Sequence, residues 1–436
     1  MKPSRFNHFF PYENDENKVI AYNSYSNALA LMEKAKHEML NSFIDEGTDI
    51  DDKKFLEQLK HGSFLVDDDV CEHDRIRLRM LKNRFNTNVL NLTITPTADC
   101  NFRCLYCYEK DVVKPEYMTQ EVEAAILEFT ERHMNTISHL NISWYGGEPL
   151  MNLGTIERLS RKLIAMCDDN DVNYTSLMVT NGYLLTRESV ELINELKISS
   201  LQISLDGDEE THNKRRPHVN GTGTFKNIFD NLVNSKDILP HVALRINLDK
   251  NNVESWRTIT MMLEEYGLTG KVMPTLGKVT AYNDSYDKAS CFDCGSFSKE
   301  ELKYYNEFRS KDYYMSRYPK LKSNYCGADH VNSHIIGTDG RMYKCWLEVG
   351  QDEKCIGGLT GNVDAKEPVY LKYMLNDPTI DSKCSECNLL PVCMGGCPYE
   401  KLYTQDYNCS SYKYALDSYL NNISKRLKHQ VGSETI

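Results

Sequence analysis

Residues 92–107 read Leu-Thr-Ile-Thr-Pro-Thr-Ala-Asp-Cys-Asn-Phe-Arg-Cys-Leu-Tyr-Cys, a short β-rich run followed by Cys100, Cys104 and Cys107. Three thiolates in a Cys-x3-Cys-x2-Cys spacing, on a loop between a strand and a helix, can hold three irons of a 4Fe-4S cube and leave the fourth iron without a protein ligand. Such an iron is a place for chemistry. Three cysteines are one short of a tetrahedral structural zinc site, and cysteine also serves as a plain core residue; the open cube is the reading that uses all three.

Outward from this loop the chain alternates short β-rich runs with amphipathic helical patterns. The runs are Leu92–Thr95, Leu140–Tyr145, Ser176–Thr180, Leu201–Leu205, Val242–Leu248 and Lys271–Thr275. Six such units predict a parallel sheet with crossover helices, an α/β fold curling into a partial (β/α)6 barrel whose working face is the carboxyl end of the strands. Before it, Phe6–Tyr12 and Lys18–Tyr22 read as a hairpin, with helical patterns around Ala28–Phe43 and Lys53–Lys60 and a short strand near Gly62–Val66. Beyond about residue 280 cysteine, glycine and aromatic residues replace the alternation until a helical stretch at Tyr412–Lys428. The expected domains are 1–88, 89–285 and 286–436.

Further motifs end the next three strands. Tyr145-Gly146-Gly147-Glu148 pairs glycines that allow close backbone approach with a carboxylate able to bind an ammonium group. Thr180-Asn181-Gly182 and Ser204-Leu205-Asp206-Gly207 follow. With the cysteine loop, these motifs resemble the radical S-adenosylmethionine (radical SAM) superfamily. The resemblance implies that the methionine amine and carboxylate of the cofactor chelate the open iron. It implies further that Tyr106 packs near the adenine, that Tyr145, Gly146, Gly147 and Glu148 engage the methionine end, and that Ser204 and Asn181 line the cofactor cavity. Two readings of Arg216 stand: a bidentate partner for the methionine carboxylate, or part of a solvated basic run with Lys214 and Arg215.

A second group, Cys326-x13-Gly340-x4-Cys345, then Cys384-x2-Cys387-x5-Cys393-x3-Cys397 and Cys409, matches the SPASM extension of that superfamily. By resemblance, Cys326, Cys345 and Cys397 bind an inner auxiliary 4Fe-4S cluster, and Cys384, Cys387, Cys393 and Cys409 an outer one, giving three clusters in all. The inner cluster's fourth ligand is open between Cys291, Cys294, Cys355 and a substrate thiolate. Cys71 and Cys167 read as buried thiols, and Gly357–Asn362 as a tight turn. Taken alone, the CxxC spacing also suits a zinc ribbon.

At 436 residues the chain exceeds what one core supports. A net charge of -12 argues against nucleic acid and anionic membrane as partners, and no apolar run is long enough to span a bilayer. Without a secretion-signal pattern, the fifteen cysteines point to cluster ligation in the cytoplasm rather than to disulfides.

The first ninety residues resemble the winged-helix-like domains that add a leader peptide as an extra strand; a structural cap on the barrel is the other reading. The resemblance therefore implies an oxidoreductase that matures ribosomally made precursor peptides. A flavodoxin- or ferredoxin-like protein would supply an electron, and a 5'-deoxyadenosyl radical would abstract a substrate hydrogen on the way to thioether crosslinks. Formylglycine formation, carbon–carbon crosslinking and epimerisation are alternatives, and a non-catalytic iron-sulfur or zinc scaffold is the alternative of another class. No catalytic base is legible.

Overall fold

The computed structural model describes residues 1–284, 286–307, 318–360, 365–405 and 407–427. Compactness divides the chain into two units that do not follow its linear order. One joins Met1–Arg84, Asp293–Cys326 and Asn376–Ile436; the other joins Phe85–Phe292 and Gly327–Leu375.

In the first unit β1 (Lys2–Pro3) pairs with β5 (Leu65–Val66), while β2 (Asn7–Pro11), β3 (Lys18–Asn23) and β4 (Ala28–Glu33) form an antiparallel sheet in that order. The expected helix over Ala28–Phe43 starts only at Lys34 and runs to Glu46. Ala28–Glu33 has strong helix formers, but Ala30 and Met32 alternate into the core and the backbone pairs with Lys18–Asn23, so strand pairing overrides propensity. Helices Lys53–His61 and Glu72–Arg84 follow, the first capped by Asp52, whose side chain accepts from Phe55 N.

Both faces of this sheet are covered. Ala21 and Met32 pack on Leu40, Phe55, Leu59 and Phe64. On the other face Tyr12, Ile20 and Tyr22 pack on Leu389, Val392, Leu416 and Leu420, far along the chain. A helix at Cys294–Glu307, where no regular element was expected, meets the helix Tyr412–Leu427: Tyr419 Oη donates to Glu301 Oε2 at 3.2 Å. Lys428, the expected end of that last helix, lies outside the described residues.

In the second unit the six predicted strands are present as β6 (Val89–Ile94), β7 (His139–Trp144), β8 (Asn173–Thr180), β9 (Ile198–Ser204), β10 (His241–Leu248) and β11 (Val272–Lys278), each parallel to its neighbour. Ile94, Trp144, Met178, Ile203 and Leu244 supply the buried face that the crossover helices cover. The opposite face is polar, with Asn91, Asn141 and Thr175 joined in one hydrogen-bond row.

Beyond β6 the sheet continues through β12 (Ser333–Ile336), β13 (Arg341–Tyr343) and β14 (Gly357–Gly358). β12 is parallel to β6, and Gly340, at φ +79°, turns it into β13. Gly357-Gly358, read above as a tight turn, is instead an edge strand paired with Arg341 and Met342, because backbone pairing needs no side chain. Gly361 and Asn362 lie outside the described residues. Among the described residues no helix is long and apolar enough to cross a membrane.

Candidate active site

The cysteine loop leaves β6 and is held by backbone bonds to the segment after the helix Glu209–Arg215: Leu105 N donates to Arg215 O at 2.9 Å, Arg103 N to Pro217 O at 2.8 Å and Val219 N to Asn101 O at 2.7 Å. Cys107 N donates to Cys104 O at 3.2 Å, closing a turn that brings the thiols of Cys100, Cys104 and Cys107 into mutual range. Burial pushes all three thiols up, Cys107 to about 12; Glu148 on Cys100, Glu109 on Cys107, and the thiols on one another add to this. The Arg216 guanidinium opposes the rise at Cys104. Loading iron therefore displaces protons.

Among the described residues no three His, Cys, Asp or Glu side chains close on a single-ion geometry. A cube several atoms wide asks for a looser ring of thiols than one ion does, and a donor set of three thiols on one loop fits it.

The glycines of Tyr145-Gly146-Gly147-Glu148 make room for the chain's own backbone. A Cβ on Gly147 would stand 2.1 Å from Asp99 O, and one on Gly146, at φ +121°, 2.6 Å from Thr97 O. Gly147 N donates to Thr97 O at 3.2 Å and Glu148 N to Asp99 O at 2.8 Å, so the second strand's end carries the residues that lead into Cys100. The Glu148 carboxylate is buried and accepts from Leu150 N at 3.0 Å, Thr180 Oγ1 at 2.6 Å and Asn181 N at 2.6 Å. Burial raises it. Three of its lone-pair sites are taken, which leaves one for a ligand. Asn181 Nδ2 donates to Asn101 Oδ1 at 2.7 Å, tying the third strand's end to the cysteine loop. Ser204 is half-buried at the end of β9.

Asp206, quoted in the sequence but not singled out there, is the hub of a polar network. Its carboxylate accepts from Tyr106 Oη, from Arg215 Nε at 3.3 Å and from Asn247 Nδ2 at 3.1 Å. Arg216 Nη1 and Asn247 Nδ2 donate to Tyr106 Oη at 2.9 and 3.1 Å, and Arg215 Nη1 donates to Asp249 Oδ2 at 2.6 Å. Burial would raise Asp206, but Arg216 and Arg215 hold it below the usual carboxylate range.

The solvated-run reading fits Lys214 alone, since Arg215 and Arg216 are buried. Arg216 Nε is buried with no hydrogen-bond partner among the described residues, a donor that a ligand carboxylate would satisfy. The sequence signal for Arg215, Asn247 and Asp249 was slight: each lies at a strand or helix end, and their pairing appears only in three dimensions.

His212 is fully buried between Asp206 N, which donates to Nδ1 at 3.2 Å, and Thr224 Oγ1, 3.1 Å from Nε2. Burial, with Arg216 in support, brings its imidazole down to about 3, and burial brings His334 to about 3 as well. In the unfolded chain both titrate near 6.5. Their folded values are depressed, so the unfolded state takes up protons the native state excludes as pH falls. Stability is unaffected above about pH 6.5 and drops below it by roughly 1.4 kcal/mol per pH unit per histidine. Urea unfolding at pH 7, 6 and 5 is expected to show this loss, with a shallower slope in His212→Gln; an unchanged slope would contradict it.

Tyr145 is buried, its ring 4.2 Å (centroid to centroid) from that of Trp346, which follows Cys345. Burial raises its phenol, and Cys107, Cys345 and Cys100 act in the same direction, so one phenol lies within electrostatic reach of both cysteine groups. Cys345 N donates to Glu348 Oε2 at 3.1 Å.

In the first unit the Tyr325 phenol is raised by burial and then by Cys397, Cys393 and Cys326. Cys409 is raised by burial and by Cys393, Cys294 and Cys387, and Cys384 by burial with a further contribution from Cys393. Gly395 and Gly396 are left-handed, and a Cβ on Gly396 would stand 2.8 Å from Asn408 O, which brings the Cys397 and Cys409 segments together.

Among the extra thiols, Cys294 Sγ is 2.9 Å from Asn408 Oδ1, beside Cys409. Cys355 is buried against Ile335 and Tyr343 with its Sγ donating to Gly357 O at 3.0 Å, the setting of a core thiol. Cys291 lies 3.8 Å from Asp287 O. Cys167 is buried as expected, but Cys71 is exposed, because it precedes the helix Glu72–Arg84 rather than sitting on its inner face.

Comparison with known proteins places residues 94–262 in the family described as the Radical SAM superfamily. An uncharacterised protein of Methanocaldococcus jannaschii is 32% identical over 296 residues, covering 64% of this chain and 91% of its own length. A cysteine-type anaerobic sulfatase-maturating enzyme of Clostridium novyi is 23% identical, covering 72% and 88%. The radical SAM cyclopropyl synthase TigE of Paramaledivibacter caminithermalis is 21% identical, covering 75% and 71%. Among solved structures, Streptococcus suis SuiB bound to its precursor peptide SuiA matches 91% of this chain and 95% of its own with a TM-score of 0.52 at 15% identity. Native anSMEcpe with bound AdoMet and a peptide matches 77% and 99% with a TM-score of 0.55 at 18% identity.

Proposed function

Because the chain belongs to the radical SAM superfamily, we propose that it is a maturase of ribosomally made peptides that installs thioether crosslinks, joining a cysteine sulfur to carbon. The observation that carries the catalytic part is the three thiols in electrostatic range of one another on the loop 100–107, braced by the Gly146-Gly147 crossing and set beside the half-buried Tyr106 and the buried Asp206 and Arg216.

Cys100, Cys104 and Cys107 would hold the open cube. Arg216, with its orphaned Nε, would take the methionine carboxylate, while Glu148 and the Gly146-Gly147 backbone would take the amine; Ser204, Asn181 and Tyr106 would line the cavity. The cluster and S-adenosylmethionine, when bound, supply reductive cleavage of a sulfonium bond and a hydrogen-abstracting 5'-deoxyadenosyl radical. The residues bind and orient the reactants and keep water away, and Asp206 fixes Tyr106 and Arg215 in one arrangement.

Two auxiliary 4Fe-4S clusters complete the reading, an inner one on Cys326, Cys345 and Cys397 and an outer one on Cys384, Cys387, Cys393 and Cys409. The thiols of the outer set lie in electrostatic range of one another within the first unit. The precursor peptide's leader would add to an edge of the sheet formed by β2, β3 and β4, whose outer strands are β2 and β4. A flavodoxin- or ferredoxin-like donor in the cytoplasm would supply electrons.

Formylglycine formation is a second reading, favoured by the sulfatase-maturating relatives. The test is anaerobic incubation of reconstituted protein with S-adenosylmethionine and dithionite. 5'-Deoxyadenosine is expected from the wild type and only background from Cys104→Ala; none from the wild type ends the enzyme reading. Mass spectrometry of a cysteine-containing peptide encoded beside the gene separates the products. A thioether removes a hydrogen pair and keeps the sulfur, whereas formylglycine formation from cysteine loses it.

A further inference from the structure

The face of β6–β11 turned away from the helices carries, among the described residues, one Lys, Arg, Asp or Glu: Arg245 of β10, in register with Ser204 of β9 and Thr275 of β11. Arg215 and Arg216 are held by the Asp206 and Asp249 network. Arg245 differs: its Nε donates to Asn247 Oδ1 at 2.7 Å, and among the described residues no carboxylate joins it in an ion pair.

The guanidinium lies across Gly277 of the next strand, where a Cβ would stand 2.4 Å from Nε, 2.5 Å from Cζ and 2.7 Å from Nη2. Only glycine leaves that space. Asn247 in turn donates to Tyr106 Oη at 3.1 Å and to Asp206 Oδ1 at 3.1 Å, so the cation stands beside the polar network that borders the cysteine loop. A forked guanidinium matches a carboxylate in both geometry and charge.

We propose that Arg245 binds a carboxylate that the substrate brings to the reacting centre, so that the peptide carries an aspartate or glutamate at or next to the modified position. The substrate class rests on the maturase reading above. A carboxylate at this place could also come from the methionine end of the cofactor, and the experiment separates the two sources.

N-acetylglutamic acid amide and N-acetylglutamine amide serve as probes, titrated by ligand-observed NMR into anaerobically reconstituted enzyme saturated with S-adenosylmethionine and without reductant. The wild type is expected to prefer the glutamate probe by about tenfold or more, the range of a charge-assisted hydrogen-bond pair. Arg245→Gln is expected to erase the preference. Gly277→Ala, which keeps the charge but displaces the guanidinium, is expected to erase it too, and guards against a folding defect peculiar to the arginine variant.

Cofactor dissociation constants are measured on the same proteins. No preference in the wild type, a preference that survives both substitutions, or a tenfold weakening of S-adenosylmethionine by Arg245→Gln overturns the proposal, the last by assigning the cation to the cofactor. Failure of the maturase reading appears separately, as a wild type that makes no 5'-deoxyadenosine under reduction.

Discussion

Gly147→Ala is expected to slow reductive cleavage of S-adenosylmethionine by about a hundredfold or more while the iron of the proposed auxiliary clusters stays in place. The new methyl group would stand 2.1 Å from Asp99 O, 2.6 Å from Asp99 C and 2.9 Å from Ala98 O, all backbone atoms that no side-chain rotation can relieve. The segment 97–99 must therefore back away from the end of β7, and Asp99 is bonded directly to Cys100. The bonds from Gly147 N to Thr97 O and from Glu148 N to Asp99 O would be lost with the shift.

Overpacking of this kind costs about 1–3 kcal/mol, too little to unfold a domain of ordinary stability. A displacement on the order of 1 Å at the reacting centre nevertheless costs about a hundredfold in rate. Iron and sulfide analysis should show one cluster's complement missing or labile, and 5'-deoxyadenosine formation should fall by at least that factor. A variant with full iron and normal cleavage would show that the crossing does not position the cysteine loop.

That crossing also shows how far the sequence could be read. The glycine pair and its carboxylate are visible as a motif at the end of a strand, but the chain's own partner in the close approach is not: residues 97–99 stand on the side where a Cβ would be. The six parallel strands were legible because each is a short apolar or β-branched run bounded by turn residues.

Ala28–Glu33 was misread because Ala, Leu, Met and Glu favour helices, and its pairing with β3 is a tertiary fact. The helix Cys294–Glu307 is not legible because its buried residues are Ser298, Glu301, Tyr304 and Tyr305 rather than an apolar stripe, and the helix it meets lies more than a hundred residues away. For Arg215 and Arg216 the adjacent Lys214 suggested a solvated run. What buries them, Asp206, Asp249 and Asn247, comes from other strands. Arg245 gave no local signal, since an arginine in a strand has meaning only when the facing positions are known.

Removing residues 1–84 is expected to cost the protein its solubility and the iron of the outer cluster proposed for Cys384, Cys387, Cys393 and Cys409, not merely the affinity for a leader peptide proposed above. A recognition domain joined by a linker would come away cleanly. Here β3 is a structural wall: Tyr12, Ile20 and Tyr22 are buried against Leu389, Val392, Leu416 and Leu420, and Phe6, Ile76 and Met80 against Leu390 and Met394. The partners Leu389 to Met394 lie between Cys387 and Cys397, so the same packing fixes the cysteine-bearing turns.

Each large apolar side chain uncovered forfeits about 1.5–3 kcal/mol. Several together reach the order of 10 kcal/mol, which matches the whole stability of a typical domain. Polar ties would go with them, among them Ser24 Oγ and His8 Nε2 to Asn388 O, immediately after Cys387. Expression of residues 85–436 followed by iron analysis and limited proteolysis checks this. A soluble fragment with its full iron content would show that the amino-terminal sheet is dispensable to the cysteine-rich core. Aggregation with loss of iron would mean that the leader binding proposed for β2 or β4 takes place on a sheet already committed to holding the Cys387–Cys397 segment in position.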